Sequence, residues 1–441
     1  MSARKPKRQS RVPASPATRL LKLGLTAGGM AAGGVAEGLR RLRRPAETPH
    51  SVLLTPANAR RLARRLAEMR GAAMKLGQLL SMEGEHLLPR EFSAALAMLR
   101  DSADTMPDTQ VRRVMGRAFG KGWESRFEHF DFEPVAAASI GQVHRVRAKD
   151  GRDLALKIQY PGVARSINSD VENMAMFMRM LNILPVDLEV DDIVAEAKRQ
   201  LHQEADYLQE ADYLDAYREM VNDNDRLIVP KVHRDLTTRQ VLAMDYTEGE
   251  PLESLGESGV SQELRNTVGF ELERLLFREL FDFRLMQTDP NFANYLYRPD
   301  DGRIVLLDFG STVRFEKAFT ERYREICRAL IDDDYDEIWR LAEGIGYLRP
   351  GDSPAYCGRI IGLIKIICEP IGQDAEYDFA SSDVAPRARD AGLELAMKSK
   401  GELRSPPPET VFLHRKLIGS FLLCGRIRAK VNVQKLLREF L

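Results

Sequence analysis

The sequence predicts an α+β fold, and three observations carry that prediction. Residues 55–99 keep apolar positions at helical spacing; after Val135 the pattern changes to short apolar runs; helical spacing then resumes from Asp170 and is interrupted twice more, by strands around Val229 and Val241 and by a second hairpin pattern. Strands set between runs of helices, with no internal repeat, point to α+β.

Taken in order, the first 44 residues stand apart by charge. "RKPKRQSR", Arg19, Lys22 and "RRLRR" flank an uncharged stretch, Leu23 to Ala36, and Glu37 is the only acid. That stretch is too short and too glycine-rich for a membrane span, which needs roughly 20 apolar residues. A transit peptide, an arm drawn to anionic lipid at about 1 kcal/mol per basic residue, and a disordered basic tail all fit. Three G-x-x-x-G spacings, beginning at Gly24, Gly29 and Gly34, would let helices approach closely and suggest a homodimer contact. Across the whole chain, 65 basic and 65 acidic residues cancel, so no global field recruits nucleic acid. The four cysteines show no C-x-x-C spacing, which argues against a zinc site or a disulfide framework and for a reducing compartment.

Beyond the arm, "PAN" opens a helical pattern and "LPREF" breaks and restarts it. Within it, "GAAMKLGQLLSM" sets Lys75 and Gln78 among Met74, Leu76, Leu79 and Leu80. A snorkelling lysine is the plain explanation, and a buried, paired one is the alternative. Val143 and Val146, then Leu154, Leu156 and Ile158, sit in two short runs separated by "KDG", a hairpin signal. Residues 170–220 read as helix, strands follow around Val229 and Val241, and 251–290 read as helix again. "NYLYRPDDGRIVLLDFG" is a second hairpin, and helix dominates from Lys317.

The chemistry-bearing residues lie in an informative order. Lys157 sits on a strand just after the alanine-rich loop Ala136 to Gly141, and a lysine there can hold nucleotide phosphates only if a carboxylate fixes it. "HQEADYLQEADY" offers Glu204, Asp206 and Glu210, with Asp206 and Glu210 on one helical face. Asp289 and Asn294 lie five apart, and Asp308 of Asp-Phe-Gly follows the second hairpin. Asp, Asn five residues on, then Asp-Phe-Gly is the order that positions a nucleophile and two magnesium sites in kinases. Each element alone occurs by chance or as a solvated face; the ordered set does not.

On "KLGQ", "AAASIGQVH", "LKIQYPGVARSINSD", "QEADYLQEA", "MQTDPNFAN", "LLDFGST" and "PPPETVFLHRKLIGSFLLC", which span residues 71–424, the chain resembles the UbiB family of atypical kinases associated with coenzyme Q biosynthesis, in its mitochondrial-type branch. The resemblance implies a protein-kinase-like two-lobe fold. Residues 1–44 would be the arm, 45–134 a helical extension with the K-x-G-Q motif, 135–250 an N-lobe with a helical insertion, and 251–441 a helical C-lobe. It implies ATP with Mg2+ or Mn2+. Lys157 would touch the phosphates and pair with Glu210, Asn294 and Asp308 would hold the metal, and Asp289 would take the catalytic position. Ala136, Ala137, Ala138 and Ser139 would replace the glycine-rich loop, with further nucleotide contacts at Met244 and Tyr246. Lys75 and Gln78 would close over the site with Glu204 and Asp206, although an ideal helix sets those two acids about 200° apart.

Gln287-Thr288 stands where protein kinases carry His-Arg, and a helix follows within a few residues of Gly310, with no Ala-Pro-Glu. That leaves no room for an activation loop or a peptide platform. Two functions stay open: an ATPase or kinase of a small or lipid-like molecule, and a nucleotide-binding pseudokinase scaffold for quinone-biosynthesis proteins. The implied location is cytoplasmic at the inner membrane if the source is bacterial, mitochondrial if eukaryotic. The lack of a long Arg/Ser presequence favours the former.

Overall fold

The hairpin expected around "KDG" lies at the centre of an antiparallel sheet in the computed structural model, which describes Lys75 and residues 105–180, 190–289, 291–399, 402 and 407–441. The basic arm, Gln78 and the helical stretch 55–99 apart from Lys75 lie outside the described residues. Contacts divide the chain into two units. One holds the described residues up to Asp212 with Lys231–Tyr246, the other Tyr213–Pro230 with Thr247–Leu441.

The first unit is built on β1 (Phe127–Phe130), β2 (Ala136–Ala137), β3 (Gly141–Ala148), β4 (Asp153–Gln159) and β6 (Val241–Asp245). Their order is β1-β3-β4-β6, with β2 on β3. Between β4 and β6 the chain passes through β5 (Leu227–Ile228), which belongs to the second unit. Gly151 closes the β3–β4 turn at φ +88°, a conformation a side chain would strain. Leu154, Leu156 and Ile158 of β4 point into a core with Val111, Val114 and Met115 of α1 (Asp108–Phe119), Trp123 and Phe127. Full burial of such a side chain stabilises by roughly 1.5–3 kcal/mol. The pleat then sends Lys157 to the opposite face, beside Val143 and Leu242 of its neighbours.

Three helices follow β4: α2 (Val163–Met180), α3 (Val190–Glu204) and α4 (Tyr207–Met220). The helical pattern of 170–220 thus breaks after Glu204. Asp206 caps the next helix, its Oδ1 accepting from the Gln209 N–H at 3.1 Å and its carbonyl from the Glu210 N–H at 3.0 Å. Asp206 and Glu210 therefore do not share a helical face as their spacing suggests, because one of them is the cap.

In the second unit, β5 pairs in parallel with β10 (Arg303–Leu306), which forms the expected hairpin with β9 (Tyr295–Arg298); β7 (Glu250–Pro251) completes the sheet. Helix α5 (Gln262–Phe277) starts at Ser261, whose hydroxyl accepts from the Leu264 N–H, and runs into a π-helical turn over Arg278–Phe283. Residues 285–287, read from sequence as helix, form strand β8 instead. They pair with β11 (Thr312–Arg314), and this long-range ladder overrides local pattern. The rest is helical as expected: α6 (Lys317–Ile331), α7 (Tyr335–Ile345), α8 (Pro354–Ile367), α9 (Val384–Lys398), α10 (Pro408–Arg426) and α11 (Val433–Arg438), with the short pair β12 (Tyr377–Asp378) and β13 (Lys430–Val431).

Between α5 and α10 lies a fully buried carboxyl. Glu273 accepts from the Ser420 hydroxyl at 2.7 Å and the Cys424 thiol at 3.4 Å, and burial pushes its pKa up to about 7 from 4.5, against the pull of these bonds and of Lys416. The folded state therefore keeps a proton that the unfolded chain releases, and stability falls as pH rises between about 4.5 and 7. The loss approaches roughly 3 kcal/mol above that window. Glu273→Gln should flatten this slope and melt higher than wild type at pH 8 but not at pH 4.5. Equal gaps at both pH values would show that Glu273 is not the titrating group.

Candidate active site

In the first unit, Lys157 meets Glu210 of α4 through both carboxylate oxygens, at 2.8 and 3.1 Å. The two side chains are 7% and 1% exposed, and the Tyr207 ring lies 5.4 Å from the ammonium. Burial of either charge alone would be costly, so each side chain depends on the other as its partner. β4 supplies the lysine and the first turns of α4 the acid. Gln159 ties β4 to the junction between α3 and α4 and to the turn before β6, donating to the Ala205 and Arg239 carbonyls at 2.7 and 3.1 Å.

Lys75, 3% exposed, donates to Glu204 Oε1 at 2.5 Å, and Ser139 donates to Glu204 Oε2 at 2.6 Å. The carboxylate that ends α3 thus joins the lysine of K-x-G-Q to the alanine-rich loop. The two-acid geometry is resolved by the helix break: Glu204 meets the lysine, and Asp206, exposed, caps α4. The loop itself is partly strand, since Ala136 and Ala137 pair with Val143 and Gln142, and the Ala138 N–H reaches the Gly141 carbonyl at 2.9 Å. Gly141 admits no side chain, because a Cβ there would fall 2.3 Å from the Ile158 carbonyl oxygen. Met244 is buried in β6 opposite Ala155, and the Tyr246 ring carries the Arg145 guanidinium at 4.1 Å.

The second unit brings Asp289, Asn294 and Asp308 onto neighbouring loops. The β8–β11 ladder continues beyond Gln287 into a bond from the Thr288 N–H to the Ser311 carbonyl at 2.8 Å, which sets the Asp289 loop beside the Asp-Phe-Gly turn. Asn291 caps a short 3-10 turn that ends at Asn294, and the Leu307 N–H reaches the Asn294 carbonyl at 2.8 Å. Asn294 donates its amide to Asp289 Oδ2 and to the Asp289 carbonyl, both at 3.3 Å, so its amide oxygen is the atom left for a cation. Asp308 has φ +45°, and its Oδ1 accepts from the Gly310 N–H at 3.1 Å. Asp and Asn tolerate this left-handed conformation better than other side chains, and strained backbone of this kind collects at functional sites.

Among the described residues, no group of three or more His, Cys, Asp or Glu side chains is placed to hold a metal by itself. Asn294 and Asp308 supply oxygen donors only, which suits magnesium, an ion that takes one or two protein oxygens and completes its shell with phosphate and water. The donor chemistry fits the implied metal. After Gly310 come Ser311, β11, Phe315, Glu316 and α6, so the expected return to helix occurs with one short strand between.

Sequence reasoning gave no role to Gln287, Glu279, Tyr217, Arg415 or Lys416, which form a connected set in the second unit. Glu279, fully buried on the π-turn, accepts from the Tyr217 hydroxyl at 2.9 Å and pairs with Lys416 at 2.9 Å. Burial raises the Glu279 carboxyl, partly offset by Lys416; burial would lower Lys416, but Glu279 and Tyr295 outweigh it and hold the lysine charged. The available signals were Gln287 in place of histidine and the long "PPPETVFLHRKLIGSFLLC" segment.

A family model described as the ABC1 atypical kinase-like domain matches residues 98–342. The chain is 37% identical over 435 residues to the mitochondrial atypical kinase COQ8B of Rattus norvegicus, covering 98% of this chain and 81% of that protein. It is 35% identical to the mitochondrial atypical kinase COQ8 of Saccharomyces cerevisiae, with 98% and 86% covered. Among solved structures, Rv3197 of Mycobacterium tuberculosis, determined with erythromycin, superposes with a TM-score of 0.59 at 26% identity, over 87% of this chain and 96% of that one.

Proposed function

The chain belongs to the ABC1 atypical kinase-like (UbiB) family, with COQ8 atypical kinases among its relatives, and on that premise we propose that it binds Mg-ATP and supports coenzyme Q biosynthesis by transferring phosphate to a small or lipid-like molecule or by hydrolysing ATP. The observation that carries this reading is the buried, two-pronged Lys157–Glu210 pair, because a kinase needs its phosphate-binding lysine held by a carboxylate.

In this mechanism Lys157 holds phosphate oxygens, and Asp289 accepts the proton of the attacking hydroxyl or water. Asn294 and Asp308 would hold Mg2+, which supplies charge neutralisation for the transferred phosphoryl group. The six residues between Gly310 and α6 leave no peptide platform, which favours a small acceptor over a protein. No helix among the described residues is long and apolar enough to cross a membrane, and the named relatives are mitochondrial. Residues 1–44 would provide the attraction to anionic lipid. The test is metal-dependent ATP turnover by the full chain, together with the quinone profile of a deletion strain that it complements. Absence of turnover with intact nucleotide binding would favour the second reading, a nucleotide-binding scaffold, which the Lys75–Glu204–Ser139 closure supports.

Lys75 offers a separate check. Its partner Glu204 is 13% exposed and keeps the Ser139 bond, so Lys75→Ala leaves a carboxylate that water can reach. Turnover and autophosphorylation should change by about tenfold or more, with only a modest fall in melting temperature. Wild-type kinetics in a protein that merely melts lower would make Lys75 structural.

A further inference from the structure

Helix α10 carries "PPPETVFLHRKLIGSFLLC", to which the phosphotransfer reading assigns no task. The Ser420–Glu273 bond anchors it to α5. Two adjacent cations on it reach back more than a hundred residues to the catalytic loops. Arg415 donates Nε to the Thr288 carbonyl at 2.5 Å, and Nη2 to the Thr288 hydroxyl at 2.7 Å and the Ser311 hydroxyl at 3.1 Å. Thr288 immediately precedes Asp289, and Ser311 immediately follows Gly310. One planar fork therefore serves acceptors on both loops, a geometry that a lysine cannot reproduce.

Lys416 acts one step further in. Held by Glu279 at 2.9 Å and donating to the Tyr295 hydroxyl at 3.2 Å, it approaches the Gln287 side-chain oxygen at 3.4 Å. That contact selects the orientation of the Gln287 amide, whose nitrogen donates to the main-chain carbonyls of Asp289 at 2.7 Å and Asp308 at 3.3 Å. Gln287 is thus a bracket between the two aspartate turns, and Lys416 decides which way it faces.

We propose that Arg415 and Lys416 are positioning residues for phosphoryl transfer: from a C-terminal helix they hold the Asp289 loop and the Asp308 turn in register, doing for this chain what an ordered activation segment does for protein kinases. The proposal rests on the reading of Asp289 as the base and Asp308 as a metal ligand. Positioning matters because a displacement of about 1 Å in a reacting group can cost about 100-fold in rate.

The experiment uses the full chain with Arg415→Lys, which keeps the charge and loses the fork. Its kcat should fall by roughly 10- to 100-fold while KM for ATP stays within about twofold. Hydrogen exchange should quicken in peptides covering 287–294 and 308–314 and stay unchanged in 141–159. Ser311→Ala removes only one acceptor and serves if Arg415→Lys does not fold; it should lower kcat by about threefold, and the two substitutions should cost less together than their separate effects predict. Wild-type kcat in Arg415→Lys, or quickened exchange spread evenly over the chain, overturns the proposal. If wild type itself shows no metal-dependent turnover, the phosphotransfer reading fails on that result. The brace is then judged on exchange alone, and unchanged protection of 287–294 and 308–314 overturns it.

Discussion

Asp308→Asn should abolish metal-dependent nucleotide binding and lower ATP turnover by roughly 100- to 1,000-fold or more. Asparagine is the informative replacement, because it tolerates the left-handed backbone at this position and can still accept from the Gly310 N–H. Only the negative charge is removed. A triphosphate needs its charge neutralised by a cation, and Asn294 alone would leave that ion with one neutral protein oxygen. Thermal shift with ATP, run with and without Mg2+, measures binding, and steady-state hydrolysis measures turnover. A wild-type shift in Asp308→Asn would remove Asp308 from the metal site.

The second large effect concerns the buried pair of the first unit. Glu210→Gln leaves the Lys157 ammonium, 7% exposed, without its carboxylate, and breaking such a pair costs roughly 3–5 kcal/mol. Chemical denaturation should report that loss, and ATP binding should weaken as well. Replacing both partners, Lys157→Met with Glu210→Leu, should recover most of the stability, since burial of two apolar side chains avoids the desolvation of two charges. It should not recover ATP binding. This divergence separates function from folding. If the double variant were as unstable as the single one, the pair would be a packing element rather than an electrostatic one.

Much of the site was legible because it depends on local periodicity. The alternation of Leu154, Leu156 and Ile158 put Lys157 on a strand, and pleating alone then turned it away from the core. The five-residue spacing of Asp289 and Asn294, followed by a hairpin and Asp308, specified one loop and one turn whose contents needed no distant partner to be recognised. Glu210 was one of three acids in a single segment, and the resemblance to UbiB proteins chose among them. Strand β8 was misread as helix because nothing within 285–287 prefers a strand; its partner β11 lies more than twenty residues on.

By itself, the sequence determined the two hairpins, the placement of Lys157, and the order of Asp289, Asn294 and Asp308, since alternation and turn chemistry act between near neighbours. Tertiary structure alone decided which acid meets Lys75: α3 ends at Glu204, and the break spends Asp206 as a cap. It also decided that Gln287 brackets the two aspartate turns, and that Arg415 and Lys416 brace them from α10. These contacts join segments up to 129 residues apart. A buried charge takes whichever partner the packing of whole helices brings within about 3 Å, and no local pattern encodes that meeting.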